Sequence, residues 1–268
     1  MAGKPDPEYV KARRVLLDAL VSLAPHAEAL VVVGAQAVYL HVGEAGLAVA
    51  PYTTDGDLAI RPTELADAPL LEEALRDSGF TPTDQPGIWT RDDVELDLLV
   101  PEAVGGQGRR GARLGSHGNR VARKVKGLEG ALVDFSVMEL PSLDDDSRRL
   151  RVRVAGPAAL LVSKLHKIAE REGKKDRLSD KDALDVLRLL RGVETAPLAS
   201  GIRRLSGADV SRSVTAEALE LLRRLFGSPE AVGVEMAVRA TEGLEDPATI
   251  RASCVALASD LLEALGKV

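Results

Sequence analysis

The chain has 268 residues, 45% hydrophobic content and a formal net charge of −6, so it is globular, large enough for one large domain or two modest ones, and not a protein that coats nucleic acid by bulk positive charge. Its one cysteine, Cys254, excludes an intramolecular disulfide, and His26, His41, His117 and His166 are spaced too widely for a zinc site. No run approaches the roughly 18 apolar residues that a membrane span needs and the first residues lack a signal-peptide core, so a cytoplasmic protein with no membrane partner is expected.

In chain order, periodicity predicts a helix over 7–24, a strand "ALVVVG" at 29–34 and a helix "AQAVYLHV" after it. A strand at 57–61 follows, then a helix across "TELADAPLLEEALRDSGF", strands near 88–91 and 94–100, and further strands near 131–138 and 149–154. Between Gly105 and Gly130 lies a basic, glycine-rich stretch with Arg109, Arg110, Arg113, Arg120, Arg123, Lys124 and Lys126 against the single acid Glu129. It is either a phosphate-contacting segment or a solvated flexible loop. Beyond "AGP" at 155–157 the periodicity is helical almost to the end. The expectation is an α+β chain, with an α/β-type first domain over 1–156 and a helical second domain over 157–268.

Chemistry concentrates in the first half. Gly34 closes a strand and opens a helix, a turn whose backbone amides can receive a phosphate. The stretch "PYTTDGDLAI" leads into its apolar run through Asp55 and Asp57, which in extended chain face the same side roughly 7 Å apart. Asp97 stands among Val94, Leu96, Leu98 and Leu99, where an ionised carboxylate is costly unless paired, hydrogen-bonded or metal-bound. Three acids on two strands suggest a magnesium site, since Mg²⁺ takes carboxylate oxygens together with nucleotide phosphate oxygens. The plainer reading of "TTDGD" is an Asx turn.

In the second half, Lys164 borders the apolar stripe of "PAALLVSKLHKIAERE" and Lys167 turns to the polar side. Asp182 and Asp185 follow in "SDKDALDVLRLL", where Ser179 and Asp182 could equally form a capping box. A lysine and an aspartate at the edges of two successive helices could also meet across a cleft.

Together, "VVVGAQAV", "TTDGDLAI", "SKLHKIAER" and "DKDALDVLRLL" resemble the four motifs of the AbiEii-type nucleotidyltransferases, which include the MenT toxins and share the DNA polymerase β-like core. The resemblance runs from about residue 28 to 191. It implies a nucleotidyltransferase-like mixed sheet with flanking helices and a helical domain contributing Lys and Asp to the cleft. It assigns Asp55 and Asp57 to Mg²⁺ (or Mn²⁺) and Asp97 to activating the acceptor, as base or metal ligand. Gly34, Ala35, Thr53, Lys164 and Lys167 fall to the nucleoside triphosphate, and Asp182 or Asp185 to positioning Lys164 or the nucleotide. The implied acceptor is the 3′ end of transfer RNA, contacted by the basic stretch, in a toxin with a cognate antitoxin.

The chain departs from the family at Ala35, usually Ser or Gly, at Pro51, often basic, and at Gly56, usually aliphatic. Two rival readings are a small-molecule nucleotidyltransferase using the same carboxylates and a non-catalytic binding protein of the same fold.

Overall fold

The computed structural model describes residues 5–144, 146–172, 177–241 and 243–266, with backbone alone at 177–179. It divides into two compact units, one joining Met1–Ala37, Pro51–Leu128 and Phe135–Ala155, the other Val38–Ala50, Glu129–Asp134 and Gly156–Val268. The division is therefore not a single cut near residue 156, because two short segments of the first half belong to the helical unit.

The first unit is a mixed sheet covered by a helix. Helix α1 (Pro7–Ser22) starts where Asp6 accepts the Glu8 amide and Pro7 occupies the first turn. Strand β1 (Leu30–Val32) leads into α2 (Gly34–Val42), which begins in this unit and ends in the other. Then come β2 (Asp55–Ile60), α3 (Leu71–Asp77), β3 (Thr81–Pro82), β4 (Ile88–Arg91), β5 (Val94–Pro101), β6 (Arg123–Val125), β7 (Phe135–Pro141) and β8 (Arg149–Ala155).

Among the described residues the eight strands form one sheet in the order β3-β4-β5-β2-β1-β8-β7, with β6 beside β5. Strand β2 is parallel to β5 and antiparallel to β1, and β1 is parallel to β8. The parallel β2/β5 pair sits in the middle, so its apolar residues Leu58, Ile60, Leu96 and Leu98 are fully buried. Its polar residues are the exceptions that need explaining.

Three segments differ from the sequence expectation. The helix expected across 63–80 shrinks to α3 after one 3₁₀ turn over Pro62–Glu64. Pro69 has no amide to extend a helix, and the Leu71 amide is taken by His117 Nδ1 at 3.1 Å. The strand expected near 131 begins at Phe135, after a 3₁₀ turn over Glu129–Leu132. The basic stretch is folded: β6 lies within it, Gly111 bridges to Arg123, and Ala112, Val121 and Ala122 are buried.

The second unit is helical, with α4 (Pro157–Glu170), α5 (Arg177–Gly192), α6 (Thr195–Gly207), α7 (Asp209–Phe226), α8 (Val232–Ala240) and α9 (Pro247–Gly266). Leu161, Leu165, Leu187, Leu205, Leu222, Phe226 and Cys254 make its core. The first turn of α4 has no cap of its own, and Asp134 supplies one: its Oδ2 accepts the Ala159 amide at 3.2 Å while Oδ1 takes Arg204 at 2.6 Å. Helix α5 starts at Arg177, which puts Ser179 inside the helix instead of at a capping box, and its side chain lies outside the described residues. Among the described residues, no helix is long and apolar enough to cross a membrane.

Candidate active site

Strand register assembles the acids of the first unit. Asp57 pairs with Asp97 and Asp55 with Glu95 across the parallel β2/β5 ladder. Paired residues in a ladder point to the same side, so four carboxylates share one face of the sheet. Glu95 lies outside the motifs that point to the other three acids, and its position two residues before Asp97 is the signal that could have found it. The opposite face meets α1: a Cβ on Gly56 would sit 3.2 Å from Leu16 Cβ, tighter than ordinary packing. A side chain between the two aspartates would press on Leu16, which would have to give by a few tenths of an ångström, and the close packing of α1 fits glycine at this departure from the family. Nothing in the structure explains Pro51.

Each acid is held differently. The Thr53 hydroxyl, itself buried, donates to Asp55 Oδ1. Asp57 is 6% exposed and lies against the start of α2, where Gly34 adopts φ +70° and any Cβ would collide with Asp57 Oδ2. Only glycine meets both demands, the left-handed backbone and the close approach. Ala35 follows in the first turn of α2, half-buried. Asp97 Oδ2 accepts Arg123 at 2.5 Å, whereas its Oδ1 is buried with no hydrogen-bond partner.

Asp97 therefore joins two groups of residues that stand far apart in the chain. Arg123 of the basic stretch serves a candidate acid, and Lys124 donates to the carbonyls of Gly106 and Gly108. Arg120 donates to the Asp84 carbonyl at 2.8 Å. Arg109, Arg110 and Arg113 are exposed.

The acid face suits a hard divalent cation. Among the described residues no group of three or more His, Cys, Asp or Glu could by itself hold a metal ion. Mg²⁺ does not require one, since it is commonly bound through one or two carboxylates plus substrate phosphates. The buried, unpartnered Asp97 Oδ1 and the carboxylate of Asp57 against Gly34 fit that donor set.

The second unit holds its own charged cluster. Lys164 Nζ lies 2.7 Å from Asp182 Oδ1 and 2.7 Å from Asp185 Oδ2, with all three residues buried. Burial disfavours the ammonium, but the two carboxylates prevail and hold its pKa well above the ordinary lysine range. Burial likewise works against ionised Asp182, and Lys164, then Lys167 and Arg171, bring its pKa below the usual carboxylate value.

Asp182 also has Lys167 at 3.7 Å and Arg171 at 3.3 Å, cations with about a third of their side chains exposed. Asp185 Oδ1 accepts buried Arg188 at 3.1 Å, and Arg188 continues to the Val49 carbonyl at 2.9 Å and lies over the Tyr39 ring. Both acids thus bind Lys164. Arg188 stands out in the sequence only as a neighbour of Asp185, and its tie to Val49 spans too many residues for any local pattern to reveal.

A family model described as "Nucleotidyltransferase" matches residues 13–198, more than half of the chain and inclusive of Asp55, Asp57, Glu95, Asp97, Asp182 and Asp185. No curated protein and no solved structure matches the chain.

Proposed function

The chain belongs to the nucleotidyltransferase family, and from that premise we propose that it moves a nucleoside monophosphate from a nucleoside triphosphate, with Mg²⁺ or Mn²⁺, to the 3′ end of transfer RNA. The observation that carries this reading is the acid face, with Asp57 beside Asp97 and the latter's Oδ1 left open.

Asp55 and Asp57 would hold the divalent ion, Thr53 orienting the first and the Gly34 backbone leaving room for the second. When bound, that ion neutralises triphosphate charge and stabilises the leaving oxygen. In the transfer, the acceptor hydroxyl oxygen bonds to the α-phosphorus while the bond from that phosphorus to the α,β-bridging oxygen breaks. Pyrophosphate leaves with the electron pair. The hydroxyl proton goes to a carboxylate oxygen, and Asp97 Oδ1 has the lone pair available for it. Gly34 and Ala35 open α2 with amides suited to phosphate. Lys164 and Lys167 are assigned to the nucleotide by the family resemblance. Asp182 and Asp185 then act as positioning residues for Lys164.

Exposed Arg109, Arg110 and Arg113 support an RNA acceptor. The AbiEii-like motif order supports a toxin role, with an antitoxin protein as partner. A small-molecule acceptor is the second reading, favoured because Arg120, Arg123 and Lys124 already bond within the protein, Arg123 to Asp97 and the other two to backbone carbonyls.

The test incubates the protein with Mg²⁺, each labelled nucleoside triphosphate in turn, and total RNA. Label in a transfer-RNA band that disappears with Asp55→Ala is the expected result. Label on no RNA with any nucleotide overturns the RNA acceptor. Transfer to a small molecule that survives neutralising Arg109, Arg110 and Arg113 together selects the second reading.

A further inference from the structure

Behind the acid face, a buried polar chain runs from α1 to the first residue of β2. Arg13 is 2% exposed and Gln36 1% exposed. Arg13 Nε donates to Gln36 Oε1 at 2.7 Å, and Gln36 Nε2 donates to the Asp55 carbonyl at 2.9 Å. The other guanidinium nitrogens of Arg13 donate to the Pro141 carbonyl at 2.7 Å and the Tyr9 hydroxyl at 2.9 Å.

The direction of this chain is fixed by chemistry. A guanidinium can only donate, so Gln36 must turn its oxygen toward Arg13 and thereby its NH₂ toward Asp55, whose carbonyl can only accept. Glutamine alone carries both functions on that stem: leucine or methionine would supply neither, and glutamate would face a carbonyl with an anion. Among the described residues, none of Arg13's hydrogen-bond acceptors is a carboxylate. A buried cation held only by neutral groups is a costly way to make a cross-link, since apolar side chains could join the same elements more cheaply.

We propose that Arg13 and Gln36 are positioning residues for the nucleotidyl-transfer site, fixing the main chain at Asp55 so that the Asp55 and Asp57 carboxylates keep their spacing. With Thr53 holding the Asp55 carboxylate from the other side, backbone and side chain of the same residue are pinned by different groups. Outer partners of this kind orient the groups that touch a metal and do not touch it themselves. The proposal rests on reading Asp55 and Asp57 as metal carboxylates.

The test uses the full chain carrying Arg13→Met and Gln36→Met together, which removes the chain without leaving a buried guanidinium unanswered. Arg13→Met alone is the milder second variant. Two measurements are made beside thermal unfolding: hydrogen exchange of the amides at 53–57, and Mn²⁺ affinity by electron paramagnetic resonance with a non-hydrolysable nucleoside triphosphate present.

The expected result is exchange about 10-fold faster at those amides and Mn²⁺ binding weaker by about 10-fold or more, with exchange in the helical unit unchanged. Wild-type exchange at 53–57 together with wild-type Mn²⁺ affinity overturns the proposal, as does faster exchange spread evenly over the whole chain. Asp55→Ala separates the premise from the inference. If that variant binds Mn²⁺ like wild type, the metal reading fails, and the exchange data still decide whether Arg13 and Gln36 fix the strand.

Discussion

Two groups of buried or half-buried acids divide the polar chemistry of this chain, and they are satisfied in opposite ways. In the helical unit, every carboxylate oxygen of Asp182 and Asp185 faces a cation: Lys164 and Lys167, Arg171, Arg188 and Lys164 again. In the sheet unit, Asp55 is held by a neutral hydroxyl, and Asp97 has one oxygen on Arg123 and the other on nothing. In the saturated cluster every charge is answered, so removing any member strands another. Carboxylates gathered on one sheet face leave one buried oxygen without a partner among the described residues. The same residue type is therefore saturated by cations in one unit and left partly unanswered in the other.

The sharpest way to break this contrast is to delete one acid from each unit. Asp185→Ala leaves Arg188 and Lys164 short of a carboxylate in the interior and is expected to cost about 3–5 kcal/mol. Asp55→Ala removes a half-buried acid and leaves the buried Thr53 hydroxyl without its acceptor, which is expected to cost about 1 kcal/mol, while abolishing transfer. Urea unfolding measures both. The single cysteine adds a local readout: burial pushes the Cys254 thiol up to about 12, so it stays unreactive at neutral pH until the helical unit opens. Faster thiol modification in Asp185→Ala but not in Asp55→Ala is the expected pattern. Equal losses of stability would show that the two acid groups do the same structural job.

A smaller effect tests why β2 is built as it is. Gly56→Ala pushes a methyl against Leu16 at 3.2 Å, and over-packing of this sort costs about 1–3 kcal/mol. The urea midpoint should fall and Mn²⁺ affinity should fall with it, because the flanking aspartates ride on the same strand. A larger loss of affinity in Gly56→Ala than in Asp55→Ala would contradict the assignment of the acids.

This position also shows what a sequence can and cannot carry. Alternation along 55–60 is local, and by itself it places Asp55 and Asp57 on one side of the strand. The alternation of strands and helices in the first half and the helical second half are legible for the same reason, since each follows from periodicity within a short window, whereas the mixed sheet was implied by the family resemblance. Three things were not legible: the approach of Leu16 to Gly56, the pairing of Arg123 with Asp97, and the buried run from Arg13 through Gln36. Each joins residues far apart in the chain, and each rests on a distance that only packing sets. The basic stretch left two readings open for a related reason. A run of arginines and glycines does not reveal that β6 pairing and the Asp97 contact draw part of it inward.

The smallest expected effect is on pH dependence, and its sign follows from the saturated cluster. Asp182 has a folded-state pKa below its unfolded value of roughly 3.9, so its stabilisation is complete above that value and is lost as pH falls through the lower, folded one. Lys164 is shifted the other way. Its folded pKa is raised well above an unfolded value of roughly 10.4, so its contribution is complete below that value and disappears only as pH rises through the folded one. The helical unit should therefore hold level stability against these two groups from about pH 5 to 9. Lys164→Met keeps the stem and removes the cation that pulls Asp182 down, so the acid limb should begin at a higher pH in that variant. Thermal unfolding across pH 3 to 7 measures the displacement, and an acid limb unchanged by Lys164→Met would mean that Lys167 and Arg171 suffice to hold Asp182 ionised.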